Sequence, residues 1–377
     1  VEYHDLSHLP PQAARAEAEA MLLDRRRAGF NLDSGPLLRS LFLRLDADTL
    51  ALCWNFHHLL MDGWCIGILI EELFNLYAAQ EGMPAAPLPA PFPLIEYERW
   101  RARFDADAAK AHWKALLEGF DTPSPVVPQA AQANQAVPRG GEPLTVERAL
   151  APDLTASLAS VAMANAVTLS ALLQAMWAMV LGVENDCRRD VLYGVVVSGR
   201  PAELSGVDRA VGLFIQTLPL RVRWSAQTPL AELLADVKEL GLLQMRHGYL
   251  PLAEIGGRFV DHLLVVENYP FRSPFGADGP RLLEVQGHEK LPYPLGVTII
   301  PGERLGLRFL YDSAAMSRER ATGLLERLTA ALRAVARNPA LCCHELEEAV
   351  AAIPGVCAAA PAREATAPAG AAPLAPV

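Results

Sequence analysis

The stretch Asn55–Gly67, "NFHHLLMDGWCIG", predicts a corner at which a strand ends and a helix begins. Upstream, large apolar residues alternate with smaller ones over 50–56, which predicts a strand with one packed face. The large residues of that face are Leu50, Leu52, Trp54 and Phe56. From Trp64 onward, apolar residues recur at helical spacing to about residue 80. Asp62 stands where we expect the N-cap of this helix.

The corner carries two adjacent imidazoles, His57 and His58, followed by Asp62 and Gly63. A neutral imidazole accepts a proton near neutral pH. A glycine allows close approach to the backbone, and a helix N-terminus offers N–H groups to a developing negative charge. The chain has neither a Gly-x-Ser-x-Gly nucleophile motif nor a phosphate-binding glycine loop. The pattern therefore favours direct acyl transfer, with a histidine as base and no covalent enzyme intermediate.

Other interpretations of the same residues stay open. His57 and His58 are also compatible with ordinary packed or surface histidines, and Asp62 with a helix cap, an orienting group or one half of an ion pair. A metal site is not predicted. Adjacent residues of a strand point to opposite faces, and no second ligand cluster supplies the missing ligands.

Composition excludes several classes of protein. The chain has 377 residues, 51% of them hydrophobic, and a formal net charge of −10, which argues against nucleic acid and against an anionic membrane surface. No apolar run approaches the roughly 20 residues that a membrane span needs. The start lacks a signal peptide and an initiator Met, so we expect a fragment. The six cysteines form no Cys-x-x-Cys pair, and we expect a cytoplasmic protein.

The chain divides by composition into two lobes. We predict an N-terminal lobe over 1–120, a linker over 121–142 that is rich in Pro, Ala, Gln and Gly, and a C-terminal lobe over 143–350. Residues 351–377, mostly Ala and Pro, read as a linker or a disordered tail. Residues 94–119 read as one long helix.

The motifs resemble those of a known family. "HHLLMDG" resembles the His-His-x-x-x-Asp-Gly signature of the acyltransferase superfamily that includes chloramphenicol acetyltransferase. The wider context is similar to the condensation domain of a nonribosomal peptide synthetase over about residues 1–350. The segments that resemble its further motifs, in chain order, are "DGWCIGILIEEL", "IEYERW", "VVVSGRP", "VGLFIQTLPLRV", "RHGYLPLAEI" and "LLVVENYP". Two features depart from the family: an N-terminal portion is missing, and Gln216 replaces a common asparagine.

This resemblance implies an α/β fold, of two-layer α+β type. It implies two chloramphenicol-acetyltransferase-like lobes in a V-shaped arrangement with a central tunnel. It also implies amide-bond formation between an upstream acyl or peptidyl thioester and a downstream aminoacyl thioester, as in antibiotic biosynthesis. The partners would be a donor and an acceptor carrier protein with phosphopantetheine arms, beside a neighbouring adenylation domain. The domain itself would bind no cofactor and no metal.

The resemblance also implies roles for single residues of the corner. His58 would bind the acceptor α-amine and act as base or positioning group, and His57 would shape the loop. The N–H of Gly63 would approach the tetrahedral oxyanion. Asp62 would hold the loop through an ion pair with Arg200 of "SGRP".

Two further residues are candidates for contact with substrate, namely Trp64 at the start of the helix and Asn268 in "ENYP". The alternatives are a packing anchor for Trp64 and a strand-end turn for Asn268.

Two other functions remain as alternatives. One is a free-standing acyltransferase that uses coenzyme A or a single carrier protein. The other is a non-catalytic or truncated scaffold. The ordered later motifs and the Ala/Pro tail favour the assembly-line function.

Overall fold

A computed structural model describes residues 1–127, 140–255, 260–267, 283, 287–289 and 291–354. Most of the predicted linker (128–139) and the tail from residue 355 lie outside these residues. The helices are α1 Pro11–Ala28, α2 Trp64–Gln80, α3 Leu94–Arg101, α4 Ala106–Leu117, α5 Pro152–Ala164, α6 Leu169–Glu184, α7 Leu230–His247, α8 Leu252–Ile255, α9 Arg318–Arg337 and α10 Cys343–Ala351. The strands are β1 Glu2–Asp5, β2 Leu38–Arg44, β3 Leu50–Phe56, β4 Pro143–Ala149, β5 Asp190–Val197, β6 Gln216–Arg223, β7 His262–Val266, β8 Leu295–Ile300 and β9 Gly306–Asp312.

The chain forms two compact units. Among the described residues, unit 1 comprises Val1–Ala106 with Val197–Gln216, and unit 2 comprises most of the remainder. The segment 197–216 thus joins the N-terminal part of the chain although both of its flanking strands extend into unit 2. The predicted division into lobes at 120 and 143 stays a prediction.

Unit 1 contains a three-stranded sheet in the order β1-β2-β3, with β1 parallel to β2 and β2 antiparallel to β3. The predicted turn around Asp46–Asp48 is confirmed, since it joins β2 to β3 as a hairpin. Strand β1 was not predicted, because four residues carry too little periodicity.

The larger side chains of β3, which the sequence predicts to form a packed face, do not face the buried cluster of α1 and β2. The side chains that pack against this cluster are Ala51 and Cys53, whereas Leu50 is 52% exposed. Leu52, Trp54 and Phe56 are half-buried, as are Ala51 and Cys53. Leu41 and Leu43 of β2 supply the apolar bulk of the cluster.

The predicted single helix over 94–119 is also wrong, because it breaks between α3 and α4. The N–H of Arg103 bonds to the carbonyl of Trp100, and that of Phe104 to the carbonyl of Arg101, so the last turn of α3 tightens. The ring of Phe104 folds back edge-on against Trp100, with 4.5 Å between ring centroids. The contact lies where the chain leaves α3.

Unit 2 contains a six-stranded sheet in the order β4-β9-β8-β7-β5-β6. Its centre is parallel, through β5, β7 and β8, and β9 then pairs antiparallel to both β8 and β4. Helix α6 is buried on all sides from Ala175 to Gly182, and α9 packs a leucine stripe against it. The Thr168 hydroxyl accepts a hydrogen bond from Ala171 N and caps α6.

Among the described residues, no single helix is long and apolar enough to cross a membrane. Helices α5 and α6 together pass the same test of length and composition, but they are bent by 101°.

Candidate active site

The histidine-bearing corner is a short turn that hydrogen bonds fix at both ends. After β3 ends at Phe56, the N–H of His57 donates to the carbonyl of Leu37 at 3.0 Å. The N–H of Leu60 then donates to the carbonyl of His57 at 2.9 Å. The ring Nδ1 of His57 accepts from the N–H of Leu59 at 3.0 Å. The turn is therefore held by backbone bonds and by one of its two imidazoles.

The two imidazoles lie in different surroundings. His58 is exposed, and its ring meets Phe56 edge-on with 5.9 Å between centroids. His57 is half-buried, with its ring 6.3 Å from that of Phe30 and one nitrogen occupied by the turn. His58 is thus the imidazole that the corner presents to solvent, and His57 is a part of the turn.

Asp62 is fully buried, and it does not cap α2 as the sequence predicted. The N-cap is Gly63, which makes no side-chain cap bond. One carboxylate oxygen of Asp62 accepts from Arg200 Nη2 at 2.9 Å. The other accepts from the N–H groups of Phe214 at 2.9 Å and Ile215 at 3.2 Å. The cap prediction failed because a charged donor and two further N–H groups satisfy the carboxylate elsewhere in the fold.

Arg200 completes this buried pair, with a side chain that is 4% exposed. Its Nη1 donates to the carbonyls of Val207 and Ala210, at 3.2 Å and 3.0 Å. Its guanidinium also lies 4.2 Å from the ring centroid of Phe214. A buried ion pair is tolerated only when further hydrogen bonds satisfy its partners. Both oxygens of Asp62 and both terminal nitrogens of Arg200 have such bonds, whereas the buried Nε of Arg200 has no hydrogen-bond partner among the described residues.

Cys65 is the residue of this cluster that the sequence analysis missed. It is fully buried in the first turn of α2, and its Sγ lies 3.3 Å from Asp62 Oδ1 and 3.2 Å from the carbonyl oxygen of Gly212. Burial raises the pKa of the Cys65 thiol. The available signal was its spacing three residues after Asp62, which places both side chains on one side of a helix start.

Gly63 and Trp64 begin the helix. Gly63 has φ −61° and ψ −28°, so the backbone conformation alone does not require glycine there. The indole N–H of Trp64 donates to the carbonyl of Asp208 at 2.8 Å, which anchors the helix start to the 197–216 segment. Asn268, the other predicted substrate contact, lies outside the described residues.

The part of the chain that the structure describes contains no group of three or more His, Cys, Asp or Glu side chains arranged to hold a metal ion. At the start of α2, the N–H of Cys65 donates to the carbonyl of Asp62 at 3.1 Å and that of Ile66 to the carbonyl of Gly63 at 3.2 Å. An exposed imidazole near a helix N-terminus suits proton transfer beside a developing oxyanion.

Comparison with known proteins places this site in a family. The model of the family "Condensation domain" matches residues 1–350. The chain belongs to the condensation-domain family. Condensation domains are acyltransferases that form amide bonds in nonribosomal peptide synthesis, and this chain is one of them.

Relatives of this condensation domain occur within long peptide synthetases. It is 33% identical to bacitracin synthase 3 of Bacillus licheniformis over 324 aligned residues. These residues cover 83% of the chain and 5% of that protein. It is 31% identical over 326 residues to gramicidin S synthase 2 of Brevibacillus brevis, which covers 83% of the chain and 7% of that protein. The chain thus spans less than a tenth of these two relatives.

Solved structures show the same fold. The first condensation domain of the calcium-dependent antibiotic synthetase, in complex with a substrate analogue, matches with a TM-score of 0.71 and 22% identity, over 92% of this chain and 77% of that one. The starter condensation domain of rhizomide synthetase, in complex with C8-CoA, matches with a TM-score of 0.72 and 17% identity. The match covers 91% of this chain and 79% of that one. The mixed helix–sheet fold predicted from the motifs is therefore confirmed.

Proposed function

We propose that this condensation domain transfers an acyl or peptidyl group from one carrier protein to an aminoacyl group on another, and that His58 is the residue that contacts the attacking amine. The observation that carries the proposal is the exposed ring of His58, on a turn whose neighbour Asp62 is fully buried and held by three hydrogen bonds. A rigid support beneath an accessible imidazole is what proton transfer in a fixed geometry requires.

The reaction needs one proton acceptor and one oxyanion site. The neutral α-amine of the acceptor attacks the thioester carbonyl of the donor, and a C–N bond forms. His58 takes or positions the proton of that amine, while the N–H of Gly63 stabilises the tetrahedral oxyanion. The C–S bond then breaks, the proton passes to the leaving thiolate, and the amide remains on the acceptor arm.

In this proposal, Asp62 and Arg200 hold the site in place and take no part in the chemical step. Both are removed from solvent, so neither reaches a substrate, and both bind the segment that lies beside the helix start. His57 has a similar supporting role, because its Nδ1 already accepts from the backbone of the turn. Trp64 and Asn268 remain proposed substrate contacts.

We further propose that the substrates arrive on phosphopantetheine arms of an upstream donor carrier and a downstream acceptor carrier. The synthetases to which the chain is related support this, since it matches only a small part of each. An adenylation domain of the same assembly line would load the acceptor in the cytoplasm. The lobes 1–120 and 143–350, with a tunnel that contains His58, belong to the same proposal.

The test is a carrier-to-carrier transfer assay. The chain is tested both alone and in the full polypeptide that its gene encodes, with a donor-loaded and an acceptor-loaded carrier protein. Intact-mass spectrometry follows the donor mass onto the acceptor arm. We expect transfer, and we expect His58→Ala to lower its rate by about 10²–10⁴-fold.

The matched control is His344→Ala, because His344 is an exposed histidine of unit 2, with a side chain 51% exposed. This variant should transfer at the unmodified rate, and His57→Ala should lose less than His58→Ala. Full activity of His58→Ala would contradict the proposal. Transfer from an acyl-coenzyme A alone, with none from a donor carrier, would instead identify a free-standing acyltransferase.

A further inference from the structure

The thiol of Cys65 lies at the centre of the buried polar cluster beneath the corner. Its Sγ is 3.3 Å from Asp62 Oδ1, 3.5 Å from Arg200 Nη2 and 3.2 Å from the carbonyl oxygen of Gly212. It also lies 3.4 Å from the N–H nitrogen of Gly212 and 3.9 Å from the carbonyl oxygen of Ala210. No solvent reaches this residue, which is 0% exposed.

These contacts match the hydrogen-bonding capacity of a neutral thiol. The S–H is a single donor, and two oxygens, those of Asp62 and Gly212, lie close enough to receive it. The sulfur is a weak acceptor, and the N–H of Gly212 and the guanidinium of Arg200 face it. Burial and the neighbouring Asp62 carboxylate both raise the pKa of Cys65, so the thiol keeps its proton at neutral pH.

The position of the thiol connects the helix start to the 210–215 segment. The N–H of Asp62 donates to the carbonyl of Gly212 at 3.3 Å, and Cys65 Sγ contacts the same carbonyl from the first turn of α2. Gly63 lies between these two attachment points in the chain. Next to the 210–215 segment, the indole N–H of Trp64 at this helix start also donates to the carbonyl of Asp208 at 2.8 Å. Arg209 pairs with Glu71 farther along the helix at 2.7 Å.

We propose that Cys65 is a positioning residue of the condensation reaction: its thiol fixes the first turn of α2 against Gly212 and thereby sets the orientation of Gly63 and of the turn that carries His58. The residue touches no reactant and acts through these neighbours. This inference depends on the proposed function, because it assigns Cys65 to the same site.

The test compares three variants in the carrier-to-carrier assay. Cys65→Ala removes the thiol, and Cys65→Ser keeps one donor and one acceptor. Cys53→Ala is the matched control, because Cys53 is a partly buried cysteine of the same unit whose pKa burial also raises. The readouts are kcat and KM for each carrier, measured per folded molecule, together with Tm.

We expect Cys65→Ala to lower kcat by about tenfold with little change in KM, since misplacement of a reacting group by about 1 Å costs up to about 10²-fold. Cys65→Ser should recover most of the rate, and Cys53→Ala should keep it. An unchanged kcat in folded Cys65→Ala would overturn the proposal, and so would an equal loss in Cys53→Ala. Absence of recovery in Cys65→Ser would also contradict it.

A measurement that does not use activity separates this inference from the proposed function. Hydrogen–deuterium exchange of a peptide over 57–66 should be faster in Cys65→Ala than in the unmodified chain and unchanged in Cys53→Ala. If His58→Ala transfers normally but this exchange difference appears, the proposed function fails while the fixing contact stands. If His58→Ala abolishes transfer and no exchange difference appears, the inference on Cys65 fails alone.

Discussion

Both units bury charged pairs, and unit 2 in addition buries a hydrogen-bonded histidine. In unit 1, Asp62 and Arg200 form a charged pair whose partners are separated by 138 residues of sequence. In unit 2, His262 is fully buried and accepts from Trp177 Nε1 at 3.0 Å, while its Nδ1 lies 2.5 Å from Asp261 Oδ1. Since Nε2 is an acceptor, the Nδ1 of His262 carries the proton and donates to Asp261.

The apolar surroundings of the two polar groups also differ. Val207, Ala210 and Phe214, which contact Arg200 or Asp62, form a small buried cluster with Tyr97, whereas unit 2 encloses a whole buried helix that contains Trp177. A buried charge without its partner costs far more than a neutral group that loses one hydrogen bond. Loss of one partner of the Asp62–Arg200 pair in unit 1 should therefore cost more than loss of the Trp177–His262 hydrogen bond in unit 2.

The largest effect should come from Gly199→Ala in unit 1. Gly199 has φ +61°, and a Cβ there would lie 1.8 Å from the carbonyl oxygen of Phe214, whose N–H binds Asp62. We expect a loss of about 4 kcal/mol or more in the free energy of unfolding, because backbone must move. Chemical denaturation with exchange readout of unit 1 peptides measures it.

The control is Gly29→Ala, where φ is +56° but nothing lies within 4 Å of the added carbon. Only the cost of its backbone conformation, with φ +56° and ψ −158°, remains there, about 1–3 kcal/mol. Equal losses at the two positions would contradict the close approach at Gly199.

The next effect should be that of Asp62→Asn, which leaves the Arg200 guanidinium buried without a countercharge. We expect a loss of about 3 kcal/mol in the stability of unit 1, and lower yield of soluble protein. The comparison is Asp190→Asn in unit 2, since Asp190 pairs with Arg221 at 2.6 Å but is 34% exposed. That change should cost less, because solvent replaces part of the lost interaction.

Stability and transfer rate should be measured together for Asp62→Asn. If the variant keeps its stability and loses its transfer rate, Asp62 has a chemical role and its structural assignment is wrong.

A smaller effect is expected from Trp177→Phe in unit 2. The change removes the indole N–H that donates to His262 Nε2 and leaves the ring volume largely in place. We expect a loss of about 1–3 kcal/mol, the cost of an unsatisfied buried acceptor. Thermal unfolding of Trp177→Phe, His262→Leu and the double variant forms a cycle, and strictly additive losses would contradict the coupling.

The smallest effect should be a pH dependence in unit 2. His112 of α4 stacks on His247 with 4.3 Å between centroids, and burial, followed by the charge of His247, lowers the pKa of His112 below its ordinary value of 6.5. Below pH 6.5, His112 therefore binds a proton more readily in the unfolded chain than in the folded chain. The stability that neutral, folded His112 contributes is fully present above pH 6.5, and it is lost as the pH falls below that value.

Replacing this ring by Phe isolates the effect. Denaturant midpoints at pH 7.5 and at pH 5.5 should differ less in His112→Phe than in the unmodified chain. A larger difference in the variant would contradict the assignment to His112.

Periodicity and turn chemistry predicted most elements of both units, including the strand-to-helix corner. What they missed depends on contacts between distant residues. The carboxylate of Asp62 binds Arg200 rather than the helix end, because a guanidinium and two N–H groups converge on it only after folding. The local pattern alone left that pairing open, and only the family motif "SGRP" indicated Arg200.

Two local predictions were incomplete for a related reason. The packed face of β3 was assigned to its larger residues, yet Ala51 and Cys53 are the side chains that pack against the cluster of α1 and β2. No role was assigned to Cys65 from the sequence, because no property of the sequence shows that five polar atoms surround it. Composition indicates which residues are buried, but not their partners.

Membership of 197–216 in unit 1 has a consequence for biosynthesis. A ribosome releases the first 106 residues well before Arg200 and Phe214, and at about 5–20 residues per second the delay is roughly 5–20 s. During this interval nascent Asp62 lacks its guanidinium. Unit 1 should therefore stay protease-sensitive on stalled ribosomes until the chain beyond residue 216 has left the exit tunnel, and it should then become resistant in a single step.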